Sequence, residues 1–126
     1  MTSDKIKVLL VEDEPMWQQG IRDLLSTEPR IELIAVVDNA DDAEVFFAAE
    51  HPDVVLIDWK INGPRDGLQL AKALEAQLSC DRMILVTGSP PDQIPAHPYG
   101  YVPKPKIAMQ LVDTILKNSK IQSSAC

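Results

Sequence analysis

Short, nearly unbroken apolar runs alternate along this chain with stretches whose apolar residues recur at helical spacing. Runs of that kind suit strands buried on both faces of a parallel sheet. The pattern predicts strands over 6–11, 31–37, 54–57, 82–87 and 99–102. A first helix opens at Pro15, where a missing N–H is no loss, and carries Trp17, Ile21, Leu24 and Leu25. Asp38, Asn39, Asp41 and Asp42 crowd the start of a second, whose buried side falls on Val45, Phe46, Phe47, Ala48 and Ala49. The third presents Leu70, Ala71, Leu74 and Leu78, and the last, over 107–117, presents Ala108, Leu111, Val112 and Ile115. Strands that alternate with helices argue a parallel sheet covered on both faces.

One interval breaks the alternation. Between the fourth and fifth strands lie residues 88–98, which contain Pro90, Pro91, Pro95 and Pro98. Interior proline costs a helix roughly 3 kcal/mol. The helix expected there is therefore reduced to a turn or replaced by an extended loop.

The run Val54-Val55-Leu56-Ile57 ends at once in Asp58. Alone, that aspartate is as well explained by a loop or helix N-cap as by a functional strand end. In open α/β sheets, however, ligands sit beyond the carboxyl ends of the strands. The first strand delivers Glu12 and Asp13 to that edge, the third Asp58 and the fourth Thr87, and Lys104 follows the fifth. Three converging carboxylates call for a hard, oxygen-liganded cation such as Mg²⁺. Lys104 and Thr87 then suit the oxygens of an incoming phosphoryl group, with Asp58 as nucleophile. The plainer readings are an acid pair at a helix N-terminus for Glu12 and Asp13, an ordinary strand-end Thr87 and a core aromatic for Tyr101.

At 126 residues the chain is long enough for one domain with its own core. Twelve basic against nineteen acidic residues give a net charge of −7, concentrated in residues 1–60. That balance argues against direct nucleic-acid binding, because phosphates would be repelled. No apolar run is long enough to span a bilayer, and the start Met1-Thr2-Ser3-Asp4-Lys5 lacks a signal peptide's apolar core. Cys80 and Cys126 show no metal or redox spacing, so reduced thiols and a cytoplasmic location are expected. His51 and His97 fall in loops.

Five short motifs stand in order: Val11-Glu12-Asp13-Glu14-Pro15, Val55-Leu56-Ile57-Asp58, Asp66-Gly67, Val86-Thr87-Gly88 and Pro103-Lys104-Pro105. Together they resemble the receiver domains of bacterial two-component response regulators. The resemblance implies a single doubly wound, flavodoxin-like α/β domain over 1–120 with sheet order 2-1-3-4-5, followed by a tail or linker over 121–126. It implies Asp58 as phosphoacceptor, Asp13 as a direct Mg²⁺ ligand, Glu12 as a ligand through water and the backbone carbonyl of Lys60 as a further ligand. Thr87 and Tyr101 take the switch positions, Lys104 contacts phosphate, and the Lys104–Pro105 bond matches one that is commonly cis. Gly88 leaves room for phosphate, while the side chains of Lys60 and Ser89 occupy positions that tune phosphoryl lifetime. Trp59 packs beside the site.

The implied partners are a sensor histidine kinase or phosphotransfer protein and a C-terminal DNA-binding output domain beyond these residues. The implied activity is self-phosphorylation and dephosphorylation of Asp58 rather than turnover of a substrate. Two other readings remain: a receiver-like interaction module that works without phosphate, and an aspartyl-nucleophile phosphatase of the haloacid-dehalogenase kind. The latter expects an acid two residues after the nucleophile, where this chain has Lys60. The loop after Asp58 also lacks the Met-Pro of many receivers and has one extra residue before Asp66-Gly67.

Overall fold

The computed structural model describes residues 5–120 and 126. Five parallel strands, β1 (Ile6–Val11), β2 (Ile31–Val37), β3 (Val54–Ile57), β4 (Met83–Thr87) and β5 (Gly100–Pro103), form one sheet in the order 2-1-3-4-5. Four helices cover it: α1 (Pro15–Ser26), α2 (Ala40–Glu50), α3 (Gly67–Leu74) and α4 (Ile107–Asn118). The expected architecture is the observed one.

Alternation along the strands sorts the core into two halves. Val8, Leu10, Val54, Leu56 and Ile84 face α1 and α4, meeting Ile21, Leu25, Leu111 and Ile115. Leu9, Val11, Val55 and Ile57 face α2 and α3, meeting Ala43, Phe47, Leu70 and Leu74. All four residues of β3 are buried, as a strand in the middle of a doubly covered sheet requires.

Local chemistry sets the helix starts. Asn39 caps α2 by accepting from the Asp42 N–H at 2.8 Å, with Asp41 and Asp42 in the first turn. Asp66 and Gln69 form a reciprocal capping box on α3. Between β4 and β5 the only helical backbone among the described residues is a single 3₁₀ turn, Pro91–Gln93. The proline-rich interval thus carries a turn, not a helix.

Three expectations need correction. On α2, Ala40, Ala43 and Phe47 are buried, whereas Val45, Ala48 and Ala49 are exposed. Consecutive apolar residues cannot share one helical face, and the i, i+4 pair of Ala43 and Phe47 takes the core side. The Lys104–Pro105 bond is trans, as are all the described peptide bonds, and it leads into a 3₁₀ turn, Lys104–Lys106. The cysteines are not apart: Cys80 and Cys126 meet with Cα atoms 4.5 Å apart, a spacing that permits a disulfide. That pairing spans 46 positions, so no local spacing could announce it. Residue 126 also donates its N–H to the Glu75 carbonyl at 2.9 Å. The tail expected over 121–126 otherwise lies outside the described residues, as does the start over 1–4.

Mild oxidation of the reduced protein is expected to join Cys80 to Cys126 within one chain. Non-reducing electrophoresis with thiol counting checks this: both thiols disappear while the protein stays monomeric. A disulfide-linked dimer would contradict the pairing.

Candidate functional site

The parallel sheet brings the carboxyl ends of β1, β3, β4 and β5 to one edge. There a cleft of about 420 Å³ is lined by Asp13, Glu14, Trp17, Asp58, Lys60, Thr87, Gly88, Ser89, Lys104 and Pro105. The backbone aligns the carboxylates: the Glu12 N–H donates to the Val37 carbonyl at 2.9 Å, and the Asp58 N–H to the Val11 carbonyl at 3.0 Å. Both acids are thereby held in the extension of the sheet ladder.

At the centre lies Lys104. Its Nζ is 2.7 Å from Glu12 Oε1 and 2.9 Å from Asp58 Oδ2, and all three residues are buried. Glu12 Oε2 accepts the Glu14 N–H at 3.1 Å, so each of its carboxylate oxygens has a partner. Carboxylate oxygens of Glu12, Asp13 and Asp58 lie within 4.8 Å of one another.

Burial pushes the Glu12 carboxyl above its ordinary range and the neighbouring Asp58 charge adds to the rise, against the hydrogen bonds from Lys104 and the Glu14 N–H. Burial alone would lower the Lys104 ammonium, but its hydrogen bonds to Glu12 and Asp58 outweigh this and hold its pKa above the usual lysine value.

The α3 start closes on this centre. The Gly67 N–H donates to the Trp59 carbonyl at 2.6 Å, and a Cβ on Gly67 would collide with the Asp58 carbonyl. The Asp66-Gly67 motif therefore has a steric cause. Arg65 fastens the same loop to α2 through Asp41 at 2.7 Å and Glu44 at 3.1 Å. A Cβ on Gly88 would sit 3.7 Å from Lys104 Cδ, so glycine leaves the wall beside the lysine open.

The site thus unites Glu12, Asp13, Asp58 and Lys104, with Lys60, Thr87 and Ser89 around the cleft. Thr87 is buried, and its Oγ1 accepts the Ser89 N–H at 3.3 Å. Tyr101 stands apart from the cleft, beneath the proline-rich segment with Pro91, Ile94 and His97. Its hydroxyl is buried without a hydrogen-bond partner. Of the two tryptophans, Trp17 lines the cleft, with its ring centroid 4.9 Å from Lys104 Nζ. Trp59 is instead covered by the Lys60 ammonium at 5.4 Å. Helical spacing marked Trp17 only as a core residue; its position one turn beyond Asp13, in the first turn of α1, was the available signal.

Removing one partner from a buried ion pair costs about 3–5 kcal/mol, because the remaining charge is left uncompensated. Lys104→Met should therefore lower the urea midpoint in cation-free buffer at neutral pH. The deficit should shrink on acidification, since protonating Glu12, whose carboxyl is held above its ordinary range, removes stranded charge. In the wild type, a carboxyl with a raised folded-state pKa favours the fold in acid and loses that contribution as pH rises through the folded value. A deficit that widens in acid would contradict the arrangement.

Comparison with known proteins agrees with this geometry. A profile described as the response regulator receiver domain matches residues 8–116. The chain is 31% identical over 86 residues to a nitrate/nitrite response regulator protein homolog of Haemophilus influenzae, covering 68% of this chain and 41% of that one. It is 29% identical to the transcriptional regulatory protein LiaR of Bacillus subtilis over 91% of this chain and 56% of that one. The chain thus spans about half the length of such relatives. Among solved structures, the signal receiver domain of the putative response regulator NarL from Mycobacterium tuberculosis superposes with a TM-score of 0.77 at 22% identity, covering 93% of this chain and 98% of that one. This chain belongs to the response regulator receiver domain family.

Proposed function

We propose that the domain receives a phosphoryl group on Asp58 from a phosphohistidine of a sensor kinase or phosphotransfer protein. The observation that carries this is the Lys104 ammonium 2.9 Å from Asp58 Oδ2, beside a cluster of carboxylates. In the transfer a carboxylate oxygen of Asp58 attacks phosphorus, the P–N bond breaks, and the imidazole leaves with that bond's electron pair. Lys104 turns its ammonium toward the new phosphoryl oxygens and offsets their charge. Thr87 donates its hydroxyl to one of them.

The donor set suits Mg²⁺: hard carboxylate oxygens, mutually close, beside an open cleft with room for water. Asp13, Asp58 and the Lys60 carbonyl would hold the ion directly. Glu12, whose oxygens already serve Lys104 and the Glu14 N–H, would reach it through water. When bound, the ion offsets the charge that builds on the transferred group.

Phosphorylation replaces the single negative charge of the Asp58 carboxylate with a phosphoryl group carrying about −1.5 to −2, and adds strong acceptor oxygens at the head of the cleft. Thr87 moving toward them frees space that Tyr101 takes up, and the unpartnered Tyr101 hydroxyl makes its present position easy to leave. The response emerges through the face formed by residues 88–103 and α4, where a single 3₁₀ turn replaces a helix. A different output contact follows from that replacement, with the phosphoryl input unchanged. We assign the domain to the cytoplasm, upstream of a DNA-binding output domain in the full-length protein. Related proteins are described as DNA-binding, among them a response regulator of Staphylococcus aureus and the activator DevR/DosR of Mycobacterium tuberculosis. No helix among the described residues is long and apolar enough to cross a membrane. With Lys60 two residues after Asp58, the site lacks the acid that would make it a phosphatase of exogenous esters.

Beryllium fluoride, a phosphoryl mimic, tests the reading by ¹⁹F NMR. Binding is expected in the wild type only when Mg²⁺ is present, and none is expected in Asp58→Asn. Binding that survives the substitution would overturn the assignment of Asp58.

A further inference from the structure

We infer that Trp17 is a positioning residue for Lys104, holding the ammonium over Asp58 with the face of its indole. The inference rests on the proposed reading of Asp58 and adds a residue to it. Lys104 Nζ lies 4.9 Å from the Trp17 ring centroid, inside the range of a cation–π contact. The ammonium is therefore held from two sides, by Glu12 and Asp58 and by the electron-rich ring face.

The ring is itself well anchored. Trp17 sits in the first turn of α1 and is half-buried against the core cluster that contains Ile21 and Leu25. That turn is tied to the acidic strand end by Gln18 Nε2, which donates to the Glu12 carbonyl at 2.7 Å. The Gln18 N–H also donates to the Glu14 carbonyl at 3.0 Å. The helix turn that carries Trp17 is thus tied to Glu12 by bonds that do not involve the lysine.

The consequence concerns the change of partner. When an anion joins Asp58, Lys104 must exchange carboxylates for phosphoryl oxygens. A lysine held only by carboxylates has several side-chain torsions to fix again in that exchange. The ring limits the ammonium to the side of the cleft that faces Asp58, so fewer lysine torsions remain to be fixed when the anion binds. Trp17 also lines the cleft and so covers one side of the lysine from water. Both effects favour the anion-bound state.

The test compares wild type, Trp17→Leu and Trp17→Phe by ¹⁹F NMR titration of beryllium fluoride with saturating Mg²⁺, using the full chain. Leucine keeps apolar volume and removes the ring, whereas phenylalanine keeps a smaller and weaker ring. Trp17→Leu is expected to weaken fluoride-complex binding about fivefold, the size expected when one long side chain must be immobilised on binding. Trp17→Phe should recover part of that loss, with each titration run at Mg²⁺ concentrations that saturate the variant's own site. Affinity equal to wild type in Trp17→Leu, or equal in the Leu and Phe variants, would overturn the inference. If Trp17→Leu does not fold, Trp17→Phe decides alone: unchanged binding there overturns it. A wild-type protein that binds nothing removes the reading of Asp58 and this inference with it, whereas a competent wild type beside an equally competent Leu variant removes only the role of Trp17.

Discussion

A buried lysine held between two buried carboxylates, Glu12 and Asp58, is the interaction on which the rest of this structure depends. Taking three charges out of water is costly, and the arrangement persists only because each charge faces an opposite one at hydrogen-bond distance. The cluster is still not neutral: two carboxylates meet one ammonium, and Asp13 brings a further carboxylate close by. This concentration of acid beside an open cleft, next to a paired lysine, is what supports the proposed cation site and phosphoacceptor.

The sheet order is what makes that concentration possible. In a parallel sheet all strands end at one edge, so residues far apart in sequence meet without any long loop having to carry them. β1 and β3 are adjacent, which puts Glu12 beside Asp58, and β5 leads into Lys104 from the far side of β4. The two halves of the core hold these strands from both faces, so the strand ends cannot drift. Gly67 then lets α3 start against the backbone of Asp58 at a distance no side chain would allow. The capping box of Asp66 and Gln69 finishes the same turn.

Much of this was legible in the chain itself. The unbroken run 54–57 announced a doubly covered strand because only such a strand tolerates apolar residues on both faces. The prolines between β4 and β5 announced the missing helix because their cost is local and large. The cluster of Glu12, Asp13, Asp58 and Lys104 was legible as soon as the strands were ordered, since each stands at or just beyond a strand end.

What escaped depended on three-dimensional proximity or on choices among equally apolar residues. The burial of α2 was misassigned because five apolar residues in a row leave helical phase undecided, and only packing against Leu9 and Val11 selects Ala43 and Phe47. The meeting of Cys80 and Cys126 joins residues with no spacing signal, and Trp17 looked like an ordinary core position because its helical period is that of its core neighbours. The trans bond before Pro105 departs from the family's common form, yet Lys104 still reaches both carboxylates.

The central claim is that the convergence of acids and lysine makes Asp58 the point where a phosphoryl group lands. Incubation with a small-molecule acyl phosphate, followed by mass analysis of the intact chain and of its peptides, addresses it most directly. The account predicts one added phosphoryl group per chain, on the peptide containing Asp58, that appears only with Mg²⁺. A phosphoryl group found on any other residue, or none gained by a folded protein with Mg²⁺ present, would contradict it.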